Sequence, residues 1–115
     1  MEIGETLYVT TREEFRHWLS QNHQRKNEIW LIQYRKVTQK PSLTLAEAVE
    51  EAMCFGWTES IGFKGLDAER YVTRFTPRRP KSNWTEKNQE RARRMIAEGK
   101  MTAAGLATLP PDLKA

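Results

Sequence analysis

Residues 28–36 read Glu-Ile-Trp-Leu-Ile-Gln-Tyr-Arg-Lys. In an extended chain successive side chains point to opposite faces, so Ile29 and Leu31 face one way and Trp30, Ile32 and Tyr34 the other. A strand that is apolar on both faces belongs inside a sheet, with material packed on each side. The chain must therefore supply at least two further strands and helices to cover them.

The flanking segments supply both. Leu7-Tyr8-Val9 is short and β-prone. Thr11 followed by Glu14 is a capping box, and Phe15, Trp18 and Leu19 follow at helical spacing, which predicts a helix over about 11–21. Thr44 and Glu47 form a second box. Leu45, Ala48, Val49, Ala52 and Met53 then make the buried stripe of a helix ending near Phe55, with Gly56 suited to the left-handed closing position. Trp57 to Phe63 reads as a strand, Gly65-Leu66-Asp67 as a turn and Tyr71 to Phe75 as the returning strand of a hairpin. Ser82 or Asn83 is placed to cap a third helix, with Trp84 in its first turn, Ala92, Met95 and Ile96 as its apolar stripe and Gly99 beyond its end. Thr102 caps a short final turn, and Pro110-Pro111 breaks regular structure. The order β-α-β-α-β-β-α predicts a single α+β domain over 1–107, a mostly antiparallel sheet of about four strands with three helices, and a loose tail over 108–115.

A chain of 115 residues fits one domain. No run of 18 or more apolar residues is present, and the acidic start Met-Glu-Ile-Gly-Glu lacks a signal-peptide pattern. The single Cys54 cannot form an internal disulfide, and no Cys/His set has zinc-ligand spacing. A reducing cytoplasm is the expected compartment. No cofactor is implied, since neither a Gly-rich phosphate loop nor a nucleotide fingerprint occurs.

Charge is distributed unevenly. From Arg70 to Arg94 nine cations face two acids, Glu86 and Glu90, a net of +7; with +4 for the whole chain, the remainder is net −3. Within this segment lies Arg74-Phe75-Thr76-Pro77-Arg78-Arg79-Pro80-Lys81-Ser82-Asn83-Trp84, between a strand and a helix. Two prolines stiffen it. Arg78 and Arg79 offer planar forks of donors matched to phosphate or carboxylate oxygens, and the helix start offers unpaired N–H groups and partial positive charge. Together they predict an anion seat of Arg74, Arg78, Arg79, Ser82 and Asn83, with Trp57 or Trp84 lining it. The competing reading is structural: Asn83 only caps, Trp84 is core, and the arginines pair with Glu59 or Asp67.

Glu59 and Ser60 are adjacent in a strand and point to opposite faces, so they do not form an acid–nucleophile pair. Glu59 is expected to hold a loop arginine in place, with general acid–base catalysis as its alternative role. His17 and His23 lack metal spacing, and Cys54 reads as a small core residue. Lys87, Arg91 and Arg94 can follow a phosphate track, but Glu90 and Glu98 each lie four residues from Arg94, and no nucleic-acid motif is present. Specific nucleic-acid readout is disfavoured.

Phe55-Gly56-Trp57, the run from Arg74 to Pro80, Ser82-Asn83-Trp84 and Ile96-Ala97-Glu98-Gly99-Lys100-Met101-Thr102 resemble the YdeI/OmpD-associated (bacteriocin-protection) bacterial proteins, over about Tyr8 to Leu106. The chain departs in reading Ala103 after Thr102, where the resemblance leads one to expect Pro, and many of those relatives continue into a further helical segment. The resemblance implies an association with envelope stress and antimicrobial-peptide tolerance, and brings no reaction, cofactor or catalytic set. The expected function is a small binding protein for an anionic or phosphate-bearing ligand. The alternatives are an enzyme using Glu59 on a small anionic substrate, and a basic module that docks RNA or an acidic protein.

Overall fold

A computed structural model describes residues 2–60, 63–80 and 82–114. The strands are β1 (Thr6–Leu7), β2 (Ile29–Tyr34), β3 (Trp57–Glu59), β4 (Lys64–Gly65) and β5 (Arg70–Pro77). The helices are α1 (Arg12–Asn22), α2 (Leu45–Met53), α3 (Glu86–Ala97), α4 (Ala103–Leu106) and α5 (Pro111–Lys114), with a 3-10 turn at Lys36–Thr38. The domain is α+β as expected. Among the described residues its sheet has five strands and is mixed, and two short helices follow the three long ones.

The sheet order is β1-β2-β5-β3, with β4 also on β5. Strand β2 is interior, as its two apolar faces require. β1 runs parallel to it because α1 carries the chain back across the sheet. β2 and β5 are antiparallel, with Trp30 opposite Arg74 and Ile29 opposite Phe75. Of the strand expected over Trp57–Phe63 only Trp57–Glu59 forms among the described residues, and a second short strand, β4, falls where the turn at Gly65 was expected to begin. Glu59 pairs with Phe75 and Lys64 with Val72; residues 61–62 of the expected strand lie outside the described residues.

Both capping boxes form. The Thr11 side chain accepts from the Glu14 N–H and the Glu14 side chain from the Thr11 N–H, and Thr44 and Glu47 do the same. Phe15 and Leu19 of α1, Ala48, Ala52 and Met53 of α2, and Ala92 and Met95 of α3 pack with Ile29, Leu31, Trp57 and Phe75 into one core. The opposite sheet face carries Trp30 and Val72, also fully buried. The buried polar pair Gln33 and Thr73 is satisfied internally. Thr73 Oγ1 donates to Gln33 Oε1, and Gln33 Nε2 to the Leu43 carbonyl.

The α2-to-β3 connection is tight. Gly56 adopts φ +77°, and its N–H reaches the Met53 carbonyl. Helix α4 is capped by Thr102, whose N–H reaches the Cys54 carbonyl and so docks α4 on the end of α2. Residues 108–115 were expected to be loose. Leu109 and Leu113 are instead both buried in the core cluster, and Pro111, with no N–H to leave unpaired, opens the short helix α5 that carries Leu113.

Candidate functional site

The site grows from the end of β5. Beyond Pro77 the Arg78 N–H donates to the Gly56 carbonyl, which extends the β3–β5 pairing by one step and fixes where the loop leaves the sheet. The Arg78 guanidinium then folds back. Nη1 donates to Ser82 Oγ at 2.8 Å and to the Asn83 carbonyl at 3.3 Å, and Nη2 donates to Thr58 Oγ1 at 3.1 Å. Its central carbon lies 4.0 Å from the Trp84 ring centre, within cation–π range. Arg78 thus ties together both ends of its own loop and the neighbouring strand. All its partners are neutral, and burial alone pulls its pKa below the ordinary value. The guanidinium remains charged, and no carboxylate among the described residues pairs with it.

The other two arginines differ. Arg74 donates through Nε to a Glu28 carboxylate oxygen and through Nη1 to Ser60 Oγ, 3.2 Å away. Arg79 is exposed, and among the described residues its side chain has no hydrogen bond or ion pair. It stands between two clefts. One, of about 380 Å³, is lined by the polar groups of Asn27, Thr58, Ser60, Arg74, Thr76 and Ser82 as well as by Arg79. The other, of about 490 Å³, runs from Arg78 and Arg79 past Trp84 to Leu109, Pro110 and Pro111. Among the described residues no acid lines either cleft.

Three sequence expectations need correction here. Helix α3 begins at Glu86 and is capped by Thr85, whose side chain accepts from the Asn88 N–H. Ser82 and Asn83 therefore do not cap it; their oxygens serve Arg78 instead. Trp84 precedes the cap rather than lying in the first turn. Glu86 already supplies a carboxylate to that first turn, so the anion seat expected at the helix end is not assembled. Thr85 wins because its extended backbone (φ −69°, ψ 159°) places Oγ1 at the helix entry. Lys81, part of the basic run, lies outside the described residues.

Trp57 is 1 % exposed. Its ring N–H donates to the His23 carbonyl, and its ring meets Trp18 edge-on. It is a core residue and lines neither cleft, whereas Trp84 lines the apolar one. Glu59 is exposed on the same sheet face as Trp57, the face opposite Thr58, and no side-chain bond from it to a loop arginine is present. Glu28 holds Arg74 in its place. The spacing along one strand could not show this, because Glu28 enters from just before β2.

Sequence reasoning also missed a charge cluster where α1, α2 and α3 meet. Glu51 is fully buried and accepts from Arg12 Nε at 2.7 Å, from Arg16 Nη1 at 3.2 Å and from Lys100 Nζ. Glu50 accepts from Arg12 and Arg94, at 2.8 and 2.7 Å. Burial is the largest influence on Glu51 and pushes its carboxyl up. Hydrogen bonds and charge from Lys100 and Arg12 together outweigh it and hold the pKa below 4.5. The available signal was Arg12 and Arg16 at i,i+4, a comb of cations that needs acids from another helix. With Asp67 on Arg70 and Glu28 on Arg74, acids from outside the basic segment neutralise three of its arginines. Cys54 is buried, and burial raises its thiol pKa, as for a core residue. No group of three or more metal-ligating side chains occurs among the described residues, and no helix there is long and apolar enough to cross a membrane.

Fold and site together define a small α+β domain with a cationic, hydroxyl-lined cleft beside the segment that leaves β5 at Arg78. The chain belongs to a family defined by a domain of unknown function (DUF8412), whose model matches residues 7–108. Searches of the curated proteins and of the solved structures return no match. The matched span includes all of the polar cleft and the loop, while Leu109, Pro110 and Pro111 lie just outside it.

Proposed function

We propose that this protein is a small cytoplasmic binding protein that takes an anionic group, phosphate or carboxylate, in the polar cleft. Arg79 is the principal contact. Arg78 is the framework that presents it and adds an uncancelled positive charge, and the hydroxyls of Thr58, Ser60, Thr76 and Ser82 complete the donors. The observation that carries this reading is the contrast between neighbours: Arg78 is consumed by neutral acceptors, while the Arg79 side chain has no partner among the described residues, beside a cleft that no described acid lines. A guanidinium positioned without a carboxylate is poised for bidentate recognition of an incoming oxyanion.

The position of Glu59 favours binding over catalysis, because its carboxylate lines neither cleft. The motif resemblance to the YdeI/OmpD-associated proteins supports a role in stress tolerance. Calorimetric titration with inorganic phosphate at low and moderate salt tests the reading. Saturable 1:1 binding that is lost in the R78A/R79A double variant is the expected result. A titration with no saturable heat would refute it. Retention of RNA with a steep salt slope, and no phosphate binding, would favour the docking module instead.

A further inference from the structure

We infer that the bound anion is the head of an aryl-bearing organic molecule, whose flat apolar body lies in the second cleft along Trp84. This inference rests on the anion reading above and extends it to a ligand class. Arg79 and Ser82 line both clefts, so the polar and apolar spaces meet at Arg79, whose side chain has no partner among the described residues. The two differ in balance. The first is walled mainly by hydroxyls, an amide and guanidinium groups; the second joins Arg78, Arg79 and the Ser82 and Thr108 hydroxyls to an apolar wall of Trp84, Ala107, Leu109 and the Pro110-Pro111 pair.

Size points the same way. At about 380 and 490 Å³ each space falls in the range of roughly 300–1,000 Å³ typical of organic-ligand sites, far more than a lone oxyanion occupies. Trp84 is half-buried and fixed by the Arg78 guanidinium, so it presents a preset surface rather than a mobile ring. The indole is flat and the proline rings are conformationally restricted, which suits a planar body. Among the described residues neither cleft carries an acid that would repel the head group.

Paired probes test this by calorimetry: phenyl phosphate against inorganic phosphate, and benzoate against acetate. The aryl member of at least one pair is expected to bind about tenfold tighter or more, from burial of the ring. The second arm uses A107W. Ala107 is exposed on the rim of the apolar cleft, so a Trp there fills the cleft without entering the core. In A107W the aryl-to-parent affinity ratio should collapse towards one; its urea midpoint, measured alongside, confirms folding. Equal affinity of aryl and parent anions in the wild-type protein would overturn the inference while leaving the anion reading intact. An aryl preference that survives A107W would overturn the location. Failure of all four probes to bind would refute the anion reading and this inference with it.

Discussion

The Arg78 guanidinium stacks 4.0 Å from the centre of the Trp84 ring while bridging Ser82 and Thr58. One side chain thereby connects β3, the loop and the approach to α3. Hydrogen bonds to neutral partners contribute about 1 kcal/mol each, and a partly desolvated cation–π contact a comparable amount. R78A should lower unfolding free energy by about 2–3 kcal/mol in urea titrations. R78K should recover less than half of that, because a single ammonium cannot reach the same three acceptors in fork geometry. An R78A protein as stable as wild type would show that the loop does not depend on this bridge.

Arg79 is predicted to behave in the opposite way. With no partner to lose, R79A should change stability by less than about 0.5 kcal/mol, the ordinary range for an exposed position. Urea midpoints of R78A and R79A, measured side by side, separate the two roles.

The buried cluster around Glu51 makes the fold acid-sensitive. Since the folded pKa is held below 4.5, the unfolded chain takes up the proton first as pH falls. The contribution is complete above about pH 4.5 and is lost as pH drops through the folded value. Asp67, held down to about 2 mainly by the Arg70 hydrogen bond, extends the loss toward that pH. E51Q should cost about 3 kcal/mol at neutral pH, because the cations lose their buried counter-charge, and should flatten the acid limb of stability against pH. An acid limb unchanged in E51Q would assign the sensitivity to other carboxylates.

Gly105 is where α4 touches α2 most closely. A Cβ there would fall 2.5 Å from the Cys54 carbonyl oxygen and 2.7 Å from that of Met53, and against the Met101 sulfur. Backbone carbonyls at a helix end cannot step aside cheaply. G105A should destabilise by about 2 kcal/mol, as overpacking does, and should loosen the C-terminal segment that carries Leu109. Faster amide exchange over 103–113, relative to α1, is the readout. Exchange rates unchanged over that segment would contradict the docking.

Local signals were the legible part of this chain. Both capping boxes, the interior strand 29–34 and the Gly99 helix stop (φ 72°) depend on residues within a few positions of one another. What escaped reading depends on distance. Arg12 meets Glu50 across 38 positions and Arg74 meets Glu28 across 46, so which acid takes which arginine is decided by packing. The α3 start was placed two or three residues early because Ser82, Asn83 and Thr85 are all good caps. Arg78 claims the first two. The tail was undervalued because Pro110-Pro111 marks a break in structure without saying that Leu109 and Leu113 return to the core.

We propose that Arg79, whose side chain has no partner among the described residues, receives the anion. The most direct test is calorimetric titration of inorganic phosphate into wild-type protein and R79A at low salt. Saturable binding to wild type is expected, with a loss of about tenfold to a hundredfold in R79A, the cost of one charge-assisted contact, and an unmoved urea midpoint. Equal phosphate affinity in the two proteins would contradict it.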